Sequence, residues 1–237
     1  MNPASSLPPF LQCLGAVVVL AEGVFLIAWY ARQAERIRPA AAALVAGFLA
    51  LWFAGAVVLA DRAHFPLPRE SLRTPLSGLL SLVPFLVAVL WFLRSAPGRA
   101  INAGTVPAAL VAVQFYRVAG LLFIFPNLAY GVLPAGFAWP AGVGDTLTGL
   151  AAPFVARALH QRRPGAVSRA VAWNLFGILD LVVAPIAATL SQAPVLAMYP
   201  VALVPLFVGP PLGILTHVLS LRNLAVNRAA LAPTARG

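Results

Sequence analysis

The sequence predicts an all-α fold: a polytopic transmembrane helix bundle of seven spans, with the N-terminus outside and the C-terminus inside. Three observations carry that prediction. Of 237 residues, 61% are hydrophobic and only 9% charged, against about 25% charged in a soluble domain. Apolar runs of about 20 residues, the length that spans a bilayer, recur along the chain. The basic residues collect in short loops beside those runs, as the positive-inside rule expects. Length and loop size leave room for one integral membrane domain and no separate soluble one.

The first span is expected over about 10–31, with Glu22 near its middle. The N-terminus, M-N-P-A-S-S-L-P-P-F, lacks the basic n-region of a cleavable signal peptide, so this span is expected to be retained. A basic loop with Arg32, Arg36 and Arg38 follows, then a second span over about 40–60. Its many Ala and Gly residues permit close helix approach. The loop from Asp61 to Thr74 is the most polar in the chain and includes His64. The third span covers about 75–93, with Arg94 and Arg99 behind it, and the fourth about 106–125, with Gln114 and Arg117 inside it. The stretch Pro126–Ala141 carries no charge. Its Pro/Gly-rich, apolar make-up suits a connection packed at the membrane surface or dipping into it.

The fifth span covers about 142–159 and begins near Asp145; Arg157, His160, Arg162, Arg163 and Arg169 follow. The sixth, about 170–190, holds Asn174 and Asp180. The seventh, about 195–221, holds His217 and four prolines, Pro200, Pro205, Pro210 and Pro211. Each proline removes a backbone donor, so this span should be kinked or broken. A loose polar tail is expected after it. With the N-terminus outside, twelve arginines fall inside, three outside and Arg117 within the membrane.

Composition excludes several chemistries. All sixteen basic residues are arginine, so a retinal-type Schiff base and a lysine nucleophile have no amine to use. The net charge of +10 comes without a basic stripe, an aromatic ladder or a reading helix, so nucleic acid is not an expected partner. The one cysteine, Cys13, has no intrachain disulfide partner. No cofactor or metal is expected. His217 is the one histidine in a span, whereas zinc normally takes three or four protein ligands. Its place in the seventh span puts it near the inner headgroups.

Charges inside a span are costly, about 2.5–3.5 kcal/mol each on insertion scales. Glu22, Arg117, Asp145 and Asp180 lie deep by this topology. Two readings follow. In one, Arg117 is clamped by Asp145 and Asp180 as an internal ion pair pinning spans four, five and six. Gln114, three residues before Arg117, shares its helix face and joins them. In the other, the cluster of Glu22, Gln114, Arg117, Asp145, Asn174, Asp180 and His217 is a binding site. One arginine facing three carboxylates leaves excess negative charge, so at least one carboxylate is expected to hold a proton, as in a proton relay.

Gly-Val-Gly-Asp at 142–145 resembles the motif of intramembrane aspartyl proteases, where glycines let a helix pack beside a catalytic aspartate. That chemistry needs two aspartates sharing a proton. Asp180 follows the motif, whereas in those proteases the partner precedes it, and the preceding span here carries Arg117. A wider pattern is more specific. Q-F-Y-R, G-V-L-P-A-G-F, G-D-T-L-T-G-L-A-A-P, W-N-L-F-G-I-L-D-L and P-V-A-L-V-P-L-F-V-G-P-P-L-G-I-L-T-H-V-L-S-L-R-N-L together resemble a family of uncharacterised bacterial polytopic membrane proteins, over Gln114 to Leu224. The resemblance implies an inner-membrane protein with His217 near the cytoplasmic end of the last helix, and implies no activity. The leading expectation is a small-solute or proton-coupled carrier with an intramembrane Arg/Asp site. The alternatives are a membrane-embedded hydrolase acting on lipid or peptide and a non-catalytic scaffold or partner subunit.

Overall fold

The computed structural model describes residues 8–61 and 73–232. Among these residues there are helices and turns and no strand. The polar loop after Asp61, with His64, and the last five residues of the tail lie outside the described residues.

Helices α1 (Pro9–Ile37) and α2 (Pro39–Ala60) form a hairpin joined by Arg38 alone. Pro39 opens α2, where its missing N–H is one the helix leaves unpaired in any case. Helix α3 (Arg73–Arg94) is followed by α4 (Ala96–Gly104), a short helix in a stretch the sequence reads as loop. Ser95 caps it, its Oγ accepting from the Gly98 N–H at 3.0 Å. The fourth crossing segment is continuous but not uniform. It runs as α5 (Pro107–Ala112), eight residues of 3-10 helix over Val113–Gly120, and α6 (Leu121–Tyr130).

Gly131, at φ +63°, ends α6 in the left-handed conformation that glycine adopts freely. Helix α7 (Ala135–His160) begins four residues later. The apolar stretch 126–141 is therefore mostly helix, divided between the end of α6 and the first turns of α7. The expected connection, at the membrane surface or dipping into it, shrinks to residues 131–134. Helix α8 (Ala166–Leu190) follows a tight basic turn. The chain then breaks up, as the prolines predict. A 3-10 turn (Val195–Ala197) and a π-helical turn (Val204–Val208) precede α9 (Pro210–Val226).

Among the described residues, six segments are long and apolar enough to cross a membrane: Pro9–Ile37, Pro39–Ala60, Ser77–Arg94, Pro107–Tyr130, Ala166–Leu190 and Val204–Val226. Their outer faces are apolar; Leu51, Leu128 and Leu190 are 77%, 66% and 82% exposed. Large side chains turned outward on this scale need a lipid solvent, because water would penalise them. The protein is thus a multi-pass helical membrane bundle. The fifth expected span is the exception: α7 is 26 residues long yet is not among the six. Its composition explains the difference. Trp139, Val143, Leu147, Leu150 and Phe154 recur at helical spacing and are exposed, while the opposite stripe is small or polar and buried, including Gly142, Gly144, Thr148 and Ala152. That inner stripe packs on α8, α5, α6 and the 3-10 stretch.

Side-chain contacts sort the helix ends. The Arg222 Nη1 donates to the Leu93 carbonyl at 2.7 Å, and Asn227 Nδ2 to the Ala103 carbonyl at 3.1 Å. A methyl group at Gly104 would press on Ile37. Val111, Leu159, Ala166 and Leu224 share one core cluster. The arginine-bearing turns after α1, α3, α7 and α9 therefore lie at one end of the bundle. The other end is tied by a second cluster of Leu11, Phe123, Leu133, Phe137 and Met198.

Helix α9 is the axis of the fold; Leu212, Leu215 and Leu219 are almost wholly buried. Around it, α3, α4, α5 and α8 pack directly. Asn223 anchors its basic end, donating from Nδ2 to the carbonyls of Asn102 and, at 2.8 Å, of Thr105. Replacing Asn223 by Ala orphans two buried carbonyls. A destabilisation of about 1–3 kcal/mol per unpaired group is expected, read as a lower melting temperature in detergent. An unchanged melting curve would show that this anchor does not bear on stability.

Candidate functional site

The site is built around Arg117, which is 3% exposed and sits halfway along the 107–130 segment. Its neighbours come from three other helices. Nε and Nη2 both meet the Asp145 Oδ1 of α7, each at 2.6 Å. Nη2 also reaches the Asp180 Oδ2 of α8 at 2.5 Å. Nη1 lies 3.0 Å from the His217 Nε2 of α9. An arginine has five N–H donors and no acceptor, and four of them are engaged here.

The hydrogen bonds fix the state of His217. Because Nη1 can only donate, the His217 Nε2 must accept, so the ring is neutral with its proton on Nδ1. That proton goes to the Asn174 Oδ1 at 2.9 Å. The Asn174 Nδ2 in turn donates to the Ala170 carbonyl at 2.7 Å and to Ser220 Oγ at 3.1 Å. Trp173 packs on the imidazole with ring centroids 4.9 Å apart, and its Nε1 donates to the Thr148 carbonyl at 3.1 Å. The chain Asp145 and Asp180 to Arg117 to His217 to Asn174 to Ser220 thus has one consistent set of donors and acceptors.

Local sequence explains why these groups can meet. In a 3-10 helix residues three apart eclipse one another, so Gln114 and Arg117 stand in line. Gln114 nevertheless does not join the ionic cluster; its Nε2 donates to the Gly213 carbonyl at 3.1 Å, bracing α9. Glycines clear the space. A methyl group at Gly144 would overlap the Asp180 carboxylate, and one at Gly177 would overlap the His217 ring. The Gly-Val-Gly-Asp motif thus does bring helices close to an aspartate, through Gly142 against the Gly120 carbonyl and Gly144 against Asp180. Its role here is to admit Arg117 and its partners.

One further placement corrects the sequence reading. His217 is not near the inner headgroups. It is fully buried and is the eighth residue of α9, which starts only after the broken stretch. Asn174 and Asp180 do face different partners, yet both belong to the same network. Glu22 is a separate case. It is partly buried on α1, and among the described residues it makes no hydrogen bond or ion pair. It lines a cavity with about 740 Å³ of empty space, part of it open to the surroundings, together with Arg117, Asp145 and Tyr116. Sequence reasoning missed Tyr116, whose hydroxyl donates to the Val208 carbonyl at 2.8 Å, and Ser220. Ser220 stands three residues after His217 on one helix face, a spacing that could have found it, whereas Tyr116, adjacent to Arg117, carried no such signal. Among the described residues, no group of three or more His, Cys, Asp or Glu side chains could hold a metal ion.

The family described as "Domain of unknown function (DUF8737)" matches residues 73–225, nearly two thirds of the chain. The chain belongs to this family. No match was found among the curated proteins or among the solved structures. The DUF8737 span runs from the start of α3 to the last turn of α9. It contains Arg117, Asp145, Asn174, Asp180 and His217 and leaves out α1 with Glu22.

Removing Arg117 alone would leave two buried carboxylates without a counter-charge. The Arg117→Met variant is expected to lose about 3–5 kcal/mol. Adding Asp145→Asn and Asp180→Asn to it removes the uncompensated charge and should restore much of the loss. Thermal melts in detergent of the single and triple variants check this. Strictly additive losses would show that the three residues do not act as one unit.

Proposed function

We propose that this protein is a seven-span carrier of the bacterial inner membrane that couples movement of a small solute to movement of a proton. The N-terminus is outside, the C-terminus inside, and α7 is the fifth crossing, added to the six apolar segments. The reading rests on one observation: two carboxylates, Glu22 and Asp145, and one arginine, Arg117, line a cavity that runs from Leu11 and Pro126 to the Arg117 network. Asp145 and Asp180 pair with the one guanidinium, and Glu22 adds a third carboxylate that has no ion pair among the described residues, so the site favours uptake of a further positive charge, and a proton is the smallest. The cavity borders the broken stretch before α9 through Pro200, Val204 and Gly209. Discontinuous helices beside midplane charges mark the sites of many carriers. The orientation is supported by the gathering of arginine-rich turns at the opposite end from the cavity mouth.

A membrane hydrolase built on an aspartate pair has less support. Such a pair shares a proton directly, whereas Asp145 and Asp180 are joined through Arg117. One observation does favour a second reading, a purely structural staple: Arg117 has four of its five donors occupied. Glu22 separates the two, because a staple of Arg117, Asp145 and Asp180 does not use it.

Two experiments follow. Single cysteines placed at Gln161 and at Gly131 in a Cys13→Ser background should label from opposite sides of sealed inverted vesicles, Gln161 from the cytoplasmic side. Labelling of both from one side would remove α7 as a crossing. In proteoliposomes under a pH gradient, the parent protein should move protons, and Glu22→Gln should slow that flux by about tenfold or more. Undiminished flux in a folded Glu22→Gln protein, or no flux in the parent with any solute tried, would leave only the staple.

A further inference from the structure

The cavity beside the Arg117 network has a chemistry of its own, and it discriminates between classes of occupant. Its walls are apolar: Leu11, Val19, Phe123, Val201, Val204 and Val208 all line it. Its polar groups gather at the deep end, where Glu22, Tyr116, Arg117 and Asp145 also line it. Glu22 lies close enough to Asp145 to interact with it electrostatically.

An anionic occupant would look for Arg117. It would find four of five donors already committed to Asp145, Asp180 and His217, and would have to displace a carboxylate to reach them. A neutral, many-hydroxyl occupant would need several free donors and acceptors. The Tyr116 hydroxyl is spent on the Val208 carbonyl, and the walls offer little else. A hard metal cation takes six or more oxygen ligands, and the carboxylates of Glu22 and Asp145 stand among apolar side chains. What the deep end does offer is negative charge that Arg117 does not balance, with the Phe123 and Tyr116 rings nearby. Aromatic faces attract cations, above all quaternary ammonium groups.

We propose that this cavity binds a monovalent organic cation with an apolar body, the charge held between Glu22 and Asp145 and the body against the walls from Val19 to Leu11. The inference deepens the carrier reading by naming its substrate class, and rests on that reading for its purpose. Binding itself needs no membrane gradient, so the two can fail separately. Helix α1 has a direct part in recognition: it supplies Leu11, Val19 and Glu22, on one face of the helix, and between them Gly15, where a side chain would press on Pro200.

The test is calorimetric titration of the full-length protein in detergent with benzyltrimethylammonium and with the anion of matched shape, phenylmethanesulfonate. The cation should bind one to one and the anion should not bind measurably. Glu22→Gln should weaken the cation by about tenfold or more, as loss of a charge-assisted contact in a desolvated site implies. Glu22→Asp should keep the preference for the cation. Equal binding of cation and anion by the parent would overturn the proposal, and so would unchanged cation affinity in a Glu22→Gln protein that melts like the parent. Glu22-dependent proton flux in vesicles without cation binding would overturn the substrate class and leave the carrier standing. Cation binding without any flux would uphold this inference and count against the carrier.

Discussion

A guanidinium at mid-depth in a bilayer cannot shed its proton and has no water to lean on. It has to be neutralised where it stands, and the fold is arranged to do so. Arg117 draws one carboxylate from α7, one from α8 and an imidazole from α9, so three helices meet its side chain. The glycines at 144 and 177 are what that convergence demands, since a Cβ at either would occupy the place of Asp180 or of His217. The small inner stripe of α7 follows from the same requirement. A helix that must approach the Arg117 segment closely cannot carry large side chains on that face, and it sends them outward to the lipid instead.

The break before α9 raises the same problem for the backbone. Carbonyls released from helical bonding inside a membrane need donors. Three side chains from three helices supply them. Trp52 Nε1 reaches the Leu206 carbonyl at 3.1 Å, Ser81 Oγ the Pro205 carbonyl at 2.9 Å and Tyr116 the Val208 carbonyl at 2.8 Å. Phe207 seals the region from α2 by ring contacts with Trp52 and Phe53. The irregular stretch is therefore held in place and lies next to the cavity it helps to line.

Much of this was legible in the sequence. Intramembrane charges must pair, so Arg117, Asp145 and Asp180 could be placed together from chemistry alone, and four prolines announced the break. The depth of His217 was not legible. Counting from a seventh span that begins near Val195 pushes it toward the inner end, whereas fifteen irregular residues (195–209) move the start of the helix and carry His217 to the level of Arg117. The partner of Gln114 was hidden for a different reason. Its face was predicted correctly, but a backbone carbonyl, that of Gly213, leaves no mark in residue identity. The helical nature of 126–141 was masked by its Pro and Gly content, although Pro126 and Pro140 are tolerated within α6 and α7.

The family span begins at Arg73, so the ionic network belongs to the shared part of the chain and the α1–α2 hairpin does not. The cavity is thus bounded on one side by residues inside the family span and on the other by a helix outside it. The two sides lie far apart in sequence: α1 contributes residues from Leu11 to Glu22, and the family span contributes residues from Tyr116 onward. The hairpin is nonetheless built into the core of that span: Tyr30 meets the Thr216 hydroxyl at 2.7 Å and Trp52 Nε1 donates to the Leu206 carbonyl at 3.1 Å. Glu22 is thus carried to the cavity on a helix that the family span itself holds in register.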